Sequence, residues 1–147
     1  MKHILEIALI AVAALAVIGA IFIVVRRHRQ PKNLKTDTFQ DEWQKLQKKL
    51  CDKTKWAEAV KDADNLLEKA LKKKRINGHN MGERMVKAQR LLTDNDGAWF
   101  GHKLRNKIDD KPKTKLKEAE VKQALIGIRQ ALKDVGALPD VKPRTTK

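Results

Sequence analysis

A chain of 147 residues with 33 lysines and arginines against 18 acidic residues has a net charge of +15, and that whole excess lies beyond residue 25. Setting aside an apolar start and a basic end leaves roughly 100 residues, enough for one domain with a single modest core. The lone Cys51 excludes an internal disulfide and there is no tyrosine; no stretch after residue 37 alternates with a period of two, which argues against sheet.

The chain opens on an apolar run, residues 4–25, broken only by Glu6 and closed by Arg26, Arg27, His28 and Arg29. As a helix it would rise about 33 Å and match a hydrocarbon core of about 30 Å. The run is too long for the apolar part of a cleaved signal, so a retained single-pass anchor is expected. Lys2 stands alone before it, whereas Arg26, Arg27, Arg29, Lys32 and Lys35 follow it. That asymmetry predicts an N-terminus outside the plasma (inner) membrane and a cytoplasmic body. The five cations are a membrane-surface basic cluster that anionic headgroups attract, with the lipid bilayer as partner. The implied domains are an anchor with its basic stop (1–29), a linker (30–37), a cytoplasmic helical bundle (38–138) and a basic disordered tail (139–147).

The body reads as all-α, a four- to five-helix antiparallel bundle. Thr38 is the expected cap of a helix over 39–50, in which Phe39, Trp43, Leu46 and Leu50 form one stripe at steps of four and three. After a break with Asp52 or Thr54 as cap, a second helix runs over 55–74, with Trp56, Val60, Ala63, Leu67, Ala70 and Leu71 on one face. It ends in Lys72, Lys73, Lys74 and Arg75, cations that complement a helix dipole or meet a nucleic acid or other partner. A short third helix over 83–92 puts Met85, Val86, Ala88, Leu91 and Leu92 inward, and residues 93–97 serve as turn and cap for a fourth over 98–108. Trp99, Phe100, Leu104 and Ile108 supply its core contacts. Thr114 is the expected cap of the last helix, whose stripe is Val121, Leu125, Ile128, Leu132 and Val135, with Gly136 at the left-handed C-terminal position.

Two site motifs fail on inspection. The glycines at 78 and 82 have no Gly-Lys-Ser/Thr after them and no strand before them, so they make no phosphate loop. Aligning Gly97 with the fixed glycine of an EF-hand puts Leu92 and Lys103 at ligand positions, which excludes calcium. No metal and no cofactor is expected.

The stretch His102-Lys103-Leu104-Arg105-Asn106-Lys107-Ile108-Asp109-Asp110 resembles the signature of HEPN-type helical domains. Trp56, Ala63-Asp64, Leu66-Leu67, Met81-Gly82-Glu83-Arg84 and Gly136-Ala137-Leu138 extend the likeness to small bacterial helical proteins over about residues 39–138. The resemblance implies a bundle that often dimerises and, in catalytic members, cleaves RNA with an Arg and a His. Here the Arg maps to Arg105, the polar residue to Asn106 and the His position to Asp110. A carboxylate does not exchange a proton near neutral pH as an imidazole does, and it repels phosphate. His102, one turn before Arg105, is the substitute candidate. Arg105 can instead pair with a carboxylate such as Glu83 or Asp64, and His102 can be a packing residue.

The leading functional expectation is therefore a membrane-anchored, non-catalytic interaction module that forms a homodimer or holds a protein partner. The alternative is an RNA-binding HEPN-like protein with lost or residual ribonuclease activity, using Arg105, Asn106 and His102. Trp43, Trp56 and Trp99 lie on apolar faces and read as core, which removes the stacking aromatics a nucleic-acid surface would want.

Overall fold

In the computed structural model, which describes Met1, residues 12–21 and residues 34–140, the chain divides into two units, Met1–Pro31 and Lys32–Lys147. In the first unit, residues 12–21 are helical. No helix among the described residues is long and apolar enough to cross a membrane. This finding overturns the single-pass placement and the membrane topology drawn from it. The rest of the expected span, with Arg26, Arg27, Arg29 and Lys32, lies outside the described residues, as does 141–147 of the expected tail.

The second unit contains five α-helices and, among the described residues, no strand. These are α1 (Thr36–Lys49), α2 (Trp56–Lys73), α3 (Met81–Ala88), α4 (Asn95–Asp110) and α5 (Glu118–Asp134), with a 3-10 turn at Lys53–Lys55. Helix α1 begins earlier than its sequence suggests. Thr38 lies inside it, and the N-cap is Lys35, which makes no side-chain cap bond. Leu34 and Phe39 hold the two positions of a hydrophobic staple, before the cap and at the end of the first turn, and both join the core. Asp52 accepts from the Thr54 amide and starts the 3-10 turn, which leads into α2.

Helix α3 also begins early. Asn80 accepts from the Glu83 amide while Glu83 accepts from the His79 amide, a reciprocal cap that moves its start to Met81. It ends at Ala88, so Leu91 falls in the following turn; Leu91 and Val86 are exposed, against expectation. Met85, Ala88 and Leu92 are buried as expected. Asp94 caps α4 through the Gly97 amide. Thr114 lies before α5, where it bonds the Lys111 carbonyl, and Glu120 reaches back to the Lys117 amide at the true helix start.

Helices α2 and α5 end alike. Gly136 (φ 75°) and Arg75 (φ 60°) are both left-handed. Ala137 then bonds back to Leu132, and Ile76 to Leu71, closing a Schellman cap at each end. Glycine takes this conformation freely, whereas Arg75 takes it at a cost of about 1 kcal/mol.

Sequence neighbours α1–α2 and α4–α5 pack antiparallel, as does α2–α4, which leaves α2 and α5 running side by side in the same direction. Lys69 pairs with Glu42 across α1 and α2, Lys61 with Asp109 across α2 and α4, and Lys107 with Glu120 across α4 and α5. The α4–α5 crossing is the closest: a Cβ on Gly127 would stand 2.1 Å from the Gly97 carbonyl carbon. Phe39, Leu67, Leu71, Met85, Ile128 and Leu132 are fully buried at the centre. Each such side chain contributes roughly 1.5 to 3 kcal/mol relative to exposure.

Candidate interaction site

The stretch His102–Asp110, expected from its sequence to resemble a HEPN signature, lies on α4, with His102 turned toward Asp64 of α2. Among the described residues His102 and Asp64 are the two buried polar ones, at 7% and 2% exposure, and His102 Nδ1 lies 3.0 Å from Asp64 Oδ2. On the other side of the ring, His102 Nε2 is 3.3 Å from Asn106 Nδ2, and Arg105 Nη1 donates to Asn106 Oδ1 at 3.2 Å. These contacts assign the tautomer: the guanidinium fixes the amide orientation, the amide donates to Nε2, and Nδ1–H donates to Asp64. The chain Arg105 to Asn106 to His102 to Asp64 then runs in one direction, each link with one donor and one acceptor, while Arg105 Nε is buried without a hydrogen-bond partner. Trp99 closes the edge of the imidazole at 5.9 Å between ring centroids.

Arg105 is half-buried, with Nε 3.0 Å from Asp109 and 4.0 Å from Asp64. The hydrogen bond from Lys61, with the nearby Arg105 charge, holds the Asp109 carboxyl below its usual value. Asp110, which the HEPN resemblance would set at a histidine position, is exposed at the end of α4. Glu83, the other partner suggested for Arg105, is engaged in the α3 cap.

The cations of the run at 72–75 have different neighbours, with Lys72, Lys73 and Arg75 exposed and Lys74 half-buried. Lys72 bonds Glu68 at 2.8 Å, and with the charges of Arg84 and Arg105 it holds that carboxyl low. Lys73 lies over the Phe39 ring at 5.2 Å, while Arg75 turns out in the left-handed cap. Lys35 is exposed at the start of α1.

A different surface stands out between α1 and α5, where the helices leave an open groove of about 230 Å³. Buried Trp43, Val121 and Leu125 and half-buried Leu50 and Trp56 form its apolar lining. Its rim carries Lys122, Arg129 and Ile126, a large apolar side chain that is 63% exposed. Trp56 is fixed by donating to the Leu50 carbonyl at 3.0 Å, with the Lys53 ammonium 5.8 Å from its ring. The indole N–H of Trp43 is buried without an acceptor.

At the end of this groove the α4–α5 connection alternates: Lys113, Lys115 and Lys117 are exposed, while Thr114 and Leu116 turn partly inward. The sequence reading overlooked this short period-two pattern, which is loop and not strand. It also passed over Ile126, although that residue falls off the α5 stripe and so had to face outward. Among the described residues no group of His, Cys, Asp and Glu could hold a metal ion.

Comparison with protein-family models, with curated proteins and with solved structures finds no match for this chain.

Proposed function

We propose that this protein is a non-catalytic helical interaction module whose working surface is the groove between α1 and α5. The observation that carries this reading is the groove itself: two tryptophans and three aliphatic residues line an open concavity beside an exposed isoleucine. Concave, aromatic-lined apolar surface with a charged rim is what partner segments recognise, and buried anchors in such pockets dominate binding energy. In this reading the HEPN-like stretch is scaffold. His102 spends both ring nitrogens on Asp64 and Asn106, which leaves none to exchange a proton with a phosphodiester.

The test compares the full chain with Ile126→Asp. Because Ile126 is exposed, the substitution should leave the thermal midpoint unchanged while protein partners co-isolated from the native host fall by about ten-fold or more. Unaltered partner recovery with the variant would refute the groove. Cleavage of RNA by the purified chain, lost in His102→Ala variants that remain folded, would refute the non-catalytic part.

A further inference from the structure

The charge around the groove goes further than its shape. Glu118 is the one carboxylate in its lining, and it is already shared with Lys122 at 3.9 Å. Arg129 lines the groove, Lys53 lies over its Trp56 ring, and exposed Lys115 and Lys117 come just before Glu118 in the chain; none of the four forms an ion pair among the described residues. Most carboxylates of that end are engaged elsewhere: Glu58 and Asp62 with Lys49, Asp109 with Lys61, Glu120 with the Lys117 amide and Lys107, and Asp52 with the Thr54 amide and hydroxyl beside Lys53 and Lys55. The local potential is therefore positive over an apolar lining.

Length points the same way. From Glu118 to Arg129 the α5 side of the groove extends over eleven residue steps, about 16 Å, the length of roughly three helical turns. A helix of that length offers apolar anchors at i, i+4 and i+7 to a groove and its remaining side chains to the rim.

We infer that the occupant of the α1–α5 groove is an acidic amphipathic helix of about three turns. Its apolar stripe lies against Trp43, Trp56 and Leu125, and its carboxylates meet Lys115, Lys117 and Arg129. This rests on the reading of the groove as the working surface. It adds the chemistry of the partner. Opposite charge across the rim steers association and rejects basic helices, so the discrimination is electrostatic and falls as salt rises.

The experiment uses the full chain and two synthetic peptides with the same apolar stripe, one with glutamate and one with lysine at the outward positions. Binding is read from the indole resonances of Trp43 and Trp56. The acidic peptide should bind at least ten-fold more tightly than the basic one. The preference should shrink about five-fold or more in Lys115→Glu/Lys117→Glu, and binding should vanish in Ile126→Asp. Equal binding of both peptides, still abolished by Ile126→Asp, would overturn the acidic assignment and leave the groove standing. Binding that ignores Ile126→Asp would overturn the groove as well. No binding of either peptide up to ~1 mM would overturn the inference. So would self-association that needs Ile126, or indole shifts with a single-stranded RNA oligomer in place of the acidic peptide.

Discussion

Adding one methyl group at the α4–α5 crossing tests the packing most sharply. In Gly127→Ala the new Cβ would stand 2.1 Å from the Gly97 carbonyl carbon, 2.2 Å from its oxygen and 2.6 Å from its Cα. Ordinary carbon contacts need about 3.5 Å or more, and these neighbours are backbone, so no rotamer change relieves the clash. The helices must part by about 1.3 Å. A radial gap of that size forfeits a large share of the dispersion energy of the surrounding contacts, Ile128 on Gly101 among them. Overpacking alone costs about 1 to 3 kcal/mol. With the lost contacts, a destabilisation of about 3 kcal/mol or more is expected, equivalent to a fall of roughly 15 °C in the thermal midpoint of a domain this size. The matched control is Gly82→Ala, whose Cβ would meet only ordinary contacts, Asn80 Oδ1 at 3.4 Å and Trp99 Cη2 at 3.8 Å. There helix propensity acts alone and favours alanine by up to about 1 kcal/mol. Thermal unfolding followed by circular dichroism should move the two variants in opposite directions. A Gly127→Ala midpoint equal to wild type would refute the close crossing.

Other perturbations report on other features. Asp64→Ala leaves the buried His102 Nδ1–H without an acceptor and should cost about 2 to 4 kcal/mol in denaturant titration; a change under about 0.5 kcal/mol would contradict the polar chain. Gly136→Ala should lower stability by about 1 kcal/mol while Arg75→Gly leaves it level or raises it, because both positions are left-handed. Equal losses in both would contradict the paired caps. Glu68 and Asp109 have folded pKa values below their reference values of 4.5 and 3.8. The stability they supply is complete above those reference values and disappears as pH falls through the lower folded ones. The thermal midpoint should therefore be flat from about pH 7 to 5 and drop below about pH 4, with a shallower drop in Glu68→Gln/Asp109→Asn; an unaltered drop in that variant would remove these pairs from the account.

Local rules explain how much of this was legible in the sequence. The α5 stripe, its cap at Gly136 and the α2 face follow from period and turn chemistry, and all of those stripe residues except half-buried Trp56 are buried. Trp43 is core as read, while Trp56 stays half-exposed because it is the first residue of α2, at the open end of the stripe, and Trp99 because it lies at the margin of the α4 inner face. Helix starts were misplaced where a staple or a reciprocal cap outcompeted the nearest hydroxyl, at Thr38 and Thr114. The pairing of His102 with Asp64 spans 38 residues, and the Gly97–Gly127 contact spans 30; no local pattern encodes either, because each depends on which helices become neighbours. Hydropathy marks the apolar run at 4–25, of which 12–21 are described; no helix among the described residues is long and apolar enough to cross a membrane.

The most direct test of the groove is photocrosslinking in the native host. A photoreactive residue replaces Ile126 in one variant and exposed Lys87 of α3, outside the groove, in the other. The account predicts a discrete crosslinked protein from position 126 that is absent from position 87. Crosslinking that is equal at the two positions, or absent at 126, would contradict it.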